Sequence, residues 1–436
     1  MLEFQQLTSV FEEDLPTTIT GVPEGFEGLA LARLAALAAE SGKALAFVAN
    51  DHLQLNSISE TLGFYAPWLE VIEVPAWDCL PYDRVSPSGE IVAKRVDALS
   101  RIAALGKVEK PLLILTTANA LVQRNVTAER MVDQVTYMAP GNRVNMDRLV
   151  EWLAGNGFER VPAVRDRGEF AVRGGILDFF APGTEEPVRL DFFGDTLESI
   201  RSFDAASQRT TSQLKHLTIA PMSEIVFGEE EIRRFRTNYL SLFGAANRDD
   251  ALYVAISEGR RFAGMEHWLP LFYEELDSLF DYFKQCHIAI GHNVMEAVHE
   301  RLDQIKDHYQ ARLDVIDGKM DGGTPYKPIE PTSLYLTENE IKQGLDDAVA
   351  SILSPFNTIE TSQTRVVSLG GKQSRNFSVE RSTGANVFEA VTSFAAEERG
   401  LGKKVVIACW STGSRERLSN VLAEHGMGNI VQIEGF

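Results

Sequence analysis

The stretch 29-LALARLAALAAESGKALAFVAND-51 decides the fold class. Leucine and alanine recur at helical spacing as far as Glu40, and Ser41-Gly42 then breaks the helix. The apolar run Ala44–Ala49 follows, ending in Asn50-Asp51. A short uninterrupted apolar run bounded by turn residues is the pattern of a strand covered on both faces. Two more such runs, residues 71–74 and 112–116, flank a helix candidate at residues 90–105. This βαβ rhythm predicts a parallel sheet covered by helices.

Beyond residue 132 the pattern changes. A helix candidate at residues 146–156 precedes strand candidates at 170–172, 176–180, Val188–Phe193 and 199–203. Gly174-Gly175, Pro182-Gly183 and Gly194-Asp195 supply their turns. These predict a small antiparallel α+β unit inserted into the first domain. No lysine occurs between Lys110 and Lys215, although arginines are frequent there. After residue 217 the α/β rhythm returns, with strand candidates at 217–220, 251–256 and 288–290 and a helix at 294–313. Glycine and proline mark residues 317–331 as a linker. A helix at 386–398, a strand at 405–410 and a helix at 415–425 then predict a second, smaller α/β domain.

The expected architecture is therefore α/β: a parallel domain over residues 1–130 and 215–316, an α+β insertion at 131–214, a linker at 317–345, and a small α/β domain at 346–436.

The chain has 436 residues, 44% of them apolar, enough for several buried cores. Its 42 basic and 62 acidic residues give a formal charge of −20. Such a surface repels phosphate backbones, so DNA binding by the chain as a whole is not expected unless a local patch reverses the sign. Cys79, Cys286 and Cys409 lie far apart, which argues against a disulfide framework or a zinc site and for a reducing compartment. The acidic start (Glu12, Glu13, Asp14) shows no secretory signal, and no apolar stretch approaches the roughly 20 residues that span a bilayer. A cytoplasmic protein is expected.

Residues 20–28, Thr-Gly-Val-Pro-Glu-Gly-Phe-Glu-Gly, occupy the place of a phosphate-binding loop ahead of the first helix. Against the pattern GxxxxGK[ST], Gly21 matches, but Phe26 replaces the second glycine, Glu27 the lysine and Gly28 the hydroxyl residue. A carboxylate there repels triphosphate and glycine offers magnesium nothing, so the loop is not expected to bind ATP. Asp78 follows a strand without a second acid beside it and reads as a loop carboxylate. His292 and His299, seven residues apart, read as a solvated helix face rather than a metal site. Gly370-Gly371-Lys372 precedes no apolar helix and reads as a loop, and Lys403-Lys404 as an ordinary lead-in to a strand. No catalytic centre or metal site is visible.

Alternation along Val188–Phe193 places Val188, Leu190 and Phe192 on one face and Arg189, Asp191 and Phe193 on the other. If the first set faces the core, Phe193 is displayed beside Arg189, with Arg173 on the neighbouring strand. Exposed aromatic and arginine side chains on a rigid sheet are the composition of an interface hot spot. Periodicity alone leaves open the alternative that both phenylalanines pack inward while the arginines pair with Asp178 or Asp191.

The runs 170-FAVRGGILDFF-180, 189-RLDFFGD-195, 202-SFD-204 and 207-SQRT-210 resemble the UvrA-binding domain shared by UvrB and the transcription-repair coupling factor Mfd. Residues 77–83, Trp-Asp-Cys-Leu-Pro-Tyr-Asp, with Ser86-Pro87, resemble the coupling factors in particular. The altered phosphate loop separates the chain from the ATP-hydrolysing UvrB proteins, and residues 81–90 are too few for UvrB's DNA-clamping hairpin. The resemblance is specific across residues 21–313 and weak beyond. It implies a degenerate UvrB-like, helicase-related α/β domain with an inserted UvrA contact surface, on which Arg173, Arg189 and Phe193 are the matching positions. It further implies an N-terminal, adaptor-like piece that recruits UvrA in nucleotide excision repair to RNA polymerase stalled at damage. Polymerase and DNA contacts, and the ATP- and magnesium-dependent translocase, belong to domains not in this chain, as does the domain that masks the UvrA surface. A UvrB-type DNA-repair ATPase, or a scaffold that only spaces other domains, are the competing expectations.

Overall fold

The computed structural model describes residues 7, 10–11, 15–246, 250–316, 326–409 and 411–433. Its strands are β1 (Thr17–Thr20), β2 (Ala44–Ala49), β3 (Glu70–Val74), β4 (Leu112–Thr117), β5 (Thr136–Met138), β6 (Glu159–Arg160), β7 (Glu169–Arg173), β8 (Ile176–Phe179), β9 (Val188–Phe193), β10 (Thr196–Phe203), β11 (Thr210–Leu214), β12 (Leu217–Ile219), β13 (Cys286–Gly291), β14 (Ser351–Leu353) and β15 (Arg365–Ser368).

The run Ala44–Ala49 becomes β2, buried at every position, near the middle of a seven-stranded sheet ordered β15-β1-β14-β13-β2-β4-β3. All of its pairings are parallel. Side-chain alternation divides β2 between two cores. Leu45, Phe47 and Ala49 pack with helices Glu27–Glu40 and His52–Tyr65 on one face. Ala44, Ala46 and Val48 pack with Gly89–Ala103 and Val294–Ile316 on the other. Burying each leucine- or phenylalanine-sized side chain contributes about 2 kcal/mol before entropy is counted. Asp51 starts its helix by accepting from the Gln54 amide at 2.8 Å, which is why Asn50-Asp51 ends the strand so sharply.

The parallel α/β body and its α+β insertion follow the expected class, but the partition after residue 316 differs. β14 and β15 join the body's sheet, flanking β1, so residues 351–368 are not part of a separate domain. Their pairing with β1 joins residues more than 330 positions apart, such as Thr18 with Ile352, which local patterns do not encode. The expected linker at 317–345 lies outside the described residues as far as 325. From 326 it is packed: Tyr326, Ile329, Leu334, Tyr335 and Leu336 are buried, and helices Pro331–Leu334 and Glu338–Asp347 follow. Its prolines stiffen a packed segment, with Pro331 at the start of a helix. The strand candidate at 251–256 is helix Ala251–Ser257, begun by the Asp250 cap, with Leu252, Ala255 and Ile256 buried at helical spacing. Residues 405–409 form no strand, and Trp410 lies outside the described residues. The helices nearby are Val387–Gly400 and Thr412–Glu424.

The insertion is a six-stranded sheet, β11-β10-β9-β8-β7-β6, antiparallel from β7 to β11. Helix Met146–Gly155 lays Leu149 and Leu153 against Leu177, Phe179, Val188, Leu190 and Ile200. β12 pairs antiparallel with β5, so residues 217–219 close the stem of the insertion instead of restarting the body.

A buried joint ties the two parts. Arg95, on the body helix Gly89–Ala103 and fully buried, donates to Glu224 at 2.8 Å, to the Pro75 carbonyl at 2.6 Å and to Asn125 at 2.7 Å. The Trp77 indole donates to the same Glu224 oxygen at 2.9 Å.

Candidate docking surface

The insertion's sheet turns one face to its helix and the other outward, and strand register decides what the outer face shows. Asp178 on β8 stands opposite Arg189 on β9, which stands opposite Arg201 on β10. One step along, Arg173 on β7 pairs with Ile176, which pairs with Asp191, which faces Ser199. Phe193 pairs with Thr196 across the Gly194-Asp195 turn. Val188 and Leu190 are buried and Phe192 is half-buried against the core, so the alternation read from Val188–Phe193 holds.

Phe193 is 78% exposed. Its display depends on a close backbone approach: the Phe192 amide donates to the Gly175 carbonyl at 2.8 Å, and a Cβ on Gly175 would lie 2.7 Å from the Phe192 oxygen. Gly175 therefore has to be glycine for the two hairpins to lie together.

The two nominated arginines differ. Arg189 is held: Nε and Nη2 donate to the two Asp178 oxygens at 2.7 and 2.8 Å, and its guanidinium lies 4.6 Å from the centre of the buried Phe203 ring. This bidentate hydrogen bonding raises the Arg189 pKa above its ordinary value, and only 16% of its side chain is exposed. Arg173 touches the same carboxylate only at 3.7 Å and is 52% exposed. The alternative of internal pairing thus describes Arg189 and not Phe193.

Sequence reading missed Arg201, which grips Asp191 through bonds of 3.0 and 2.7 Å, while Ser199 donates to the same carboxylate. Its signal was present, because alternation along residues 199–203 places Arg201 on the outer face. In the cluster beside Phe193, three arginines share two aspartates.

The altered phosphate loop packs against a second glycine loop. Gly21, at φ +67°, lies against Gly370-Gly371, and a Cβ on Gly371 would sit 2.4 Å from the Gly21 carbonyl oxygen. The Glu27 carboxylate accepts from Gln54 at 2.8 Å, and burial raises its pKa. A Cβ on Gly28 would meet the Thr61 hydroxyl at 2.4 Å, so Gly28 serves the crossing of two helices. Phe26 precedes the helix without a side-chain cap. Asp78 accepts from the Ser88 amide at 2.8 Å, ahead of helix Gly89–Ala103. His292 edges against Phe356, whereas His299 pairs with Asp303 and Glu338, so the two histidines share no site. Among the described residues no group of three or more histidines, cysteines or acids could hold a metal, and no helix is long and apolar enough to cross a membrane.

A family profile described as UvrB interaction domain matches residues 137–225, which spans the insertion from β5 to Glu224's joint with the body. Across most of the chain, the transcription-repair-coupling factor of Rickettsia prowazekii (strain Madrid E) is 30% identical over 378 residues, 87% of this chain and 32% of that protein. Those of Haemophilus influenzae (30% over 348 residues, 78% of this chain and 29% of the relative) and Escherichia coli K12 (32% over 274 residues, 62% and 23%) are similar in the same way. The chain belongs to the transcription-repair-coupling factor family. It spans about a third of the length of the curated relatives it matches. In this coupling-factor segment, Arg173, Arg189 and Phe193 all lie inside the matched UvrB interaction domain.

Proposed function

We propose that this segment is the UvrA-recruiting adaptor of a transcription-repair-coupling factor, and that Arg173, Arg189 and Phe193 form its contact with UvrA. The observation that carries the reading is the 78% exposed Phe193 ring, held on a hairpin beside arginines, within a UvrB interaction domain. Burying such a ring in a partner's pocket removes on the order of 150 Å² from water. Arg189, already oriented by Asp178, presents its remaining donors with little rotamer entropy left to lose. Arg173 is free to turn to a partner carboxylate, because two guanidiniums share the one Asp178 charge.

The segment itself is proposed to use no nucleotide, cofactor or metal. The Gly370-Gly371 contact and the half-buried Glu27 carboxylate, held by Gln54, support this at the altered phosphate loop. RNA polymerase and DNA are proposed as partners of other parts of the full-length protein, with ATP and magnesium used by a motor there, in the cytoplasm. The purified chain should bind UvrA saturably in calorimetric titration and give no heat of binding with magnesium ATP. Absence of UvrA binding would remove the adaptor reading, and saturable ATP binding would instead favour a UvrB-type ATPase.

A further inference from the structure

On the stem of the insertion lies an open groove of about 470 Å³, lined by Thr136, Tyr137 and Met138 of β5, by Arg143 and Asn145, and by Arg148 and Trp152 from helix Met146–Gly155. β5 pairs with β12 in a two-stranded sheet, and among the described residues no strand lies on its other edge. An unpaired edge offers backbone donors and acceptors to any extended chain that reaches it. Tyr137, 64% exposed and stacked on His216, stands at this edge, while Met138 is buried beneath it.

The charge of the walls selects what fits. Arg143 and Arg148 are exposed, and among the described residues neither has a carboxylate within ion-pair distance. Asp195 is the acid in the lining, so two cations meet one anion in a chain whose net charge is −20. The wall is also rigid. The Gly141 amide donates to the Leu197 carbonyl and the Val144 amide to the Asp195 carbonyl, both at 2.8 Å, and Leu197 donates back to Asn142 at 3.0 Å.

We infer that this groove is a second docking site, which takes an extended acidic segment of a protein partner as an added strand on β5. Backbone pairing supplies attachment, Arg143 and Arg148 take carboxylates on alternate side chains, and Tyr137 and Trp152 pack the apolar ones between. The groove borders the Gly194-Asp195 turn that follows Phe193, but Phe193 is not among its lining residues and the inference does not rest on the UvrA reading.

The test uses the full chain and a fluorescein-labelled heptapeptide in which glutamate alternates with valine, followed by fluorescence anisotropy. Saturable binding is expected, together with an at least tenfold loss for Arg143→Glu/Arg148→Glu and partial retention for Arg143→Lys/Arg148→Lys. Phe193→Ala should bind the peptide as the unaltered chain does. A peptide N-methylated at every backbone nitrogen, which has no amide donor left for strand pairing, should not bind. No saturable binding, equal binding by the charge-reversed variant, full binding of the N-methylated peptide, or loss of binding in Phe193→Ala would each overturn the inference.

Discussion

The glycine turn at residues 21–28 and the hairpins that carry Phe193 share the same ingredients: positive-φ glycines, a phenylalanine and charged side chains. In the first, glycine lets one backbone lie directly on another, Gly371 against Gly21, and the half-buried carboxylate of Glu27 accepts from Gln54. In the second, Gly175 lets the strands close up beneath while the charges and the ring of Phe193 remain on the outer face. Close backbone approach packs one loop against another in the first case and sets out a surface in the second. What a glycine turn does therefore depends on what lies opposite the missing Cβ.

The largest effect is expected at the joint that holds the two regions together. Arg95→Ala leaves Glu224 buried without its cation and should lower stability in urea by about 3 to 5 kcal/mol. A change below about 1 kcal/mol would mean that body and insertion are secured by other contacts.

Acid should then separate the sealed interior from the open face. His267, buried beside Trp77 and Tyr82, has its pKa pushed down to about 4 by desolvation. It stays neutral in the fold while the unfolded chain gains a proton below its ordinary pKa of about 6.5. Stability present above that pH is lost as pH falls from about 6.5 toward 4, by up to about 3 kcal/mol from this group. Urea midpoints across that range should fall less steeply for His267→Phe. An unchanged slope would show that His267 is not the group being protonated.

The glycines themselves offer a direct contrast. Gly371→Val drives a Cβ into the Gly21 carbonyl and should cost about 2 to 3 kcal/mol in thermal or urea unfolding. Gly174→Ala, at φ +61° with nothing within 4 Å of the added carbon, should cost only about 1 kcal/mol. Equal costs would erase the distinction between the two turns. The smallest expected effect is none: Glu27→Lys with Gly28→Ser restores the motif's lysine and hydroxyl yet should confer no nucleotide binding in calorimetry, because Phe26 still stands in the second glycine's place, Gly371 still packs on Gly21 and residue 28 still meets Thr61.

Much of this was legible because its periodicity is strong. Ala44–Ala49 announced a doubly covered strand, and Val188–Phe193 announced which side chains face out. What alternation cannot show is pairing across strands, and so it could not say that Arg189 would be spent on Asp178 while Arg173 stayed half free. The return of β14 and β15 to the body's sheet depends on contacts between residues some 330 positions apart, such as Ile19 with Leu353, which local patterns do not encode. Gly370-Gly371 read correctly as a loop, yet its partner, Gly21, was invisible for the same reason.

The central claim is that Phe193 serves binding and not folding. Titrating UvrA into the chain and into Phe193→Ala, with the thermal midpoint of each recorded, tests it most directly. The account predicts an affinity loss of about 2 kcal/mol, some thirtyfold, with an unchanged midpoint, as expected of an exposed hot-spot ring. Equal affinity for UvrA, or a loss that merely follows a lowered midpoint, would contradict it.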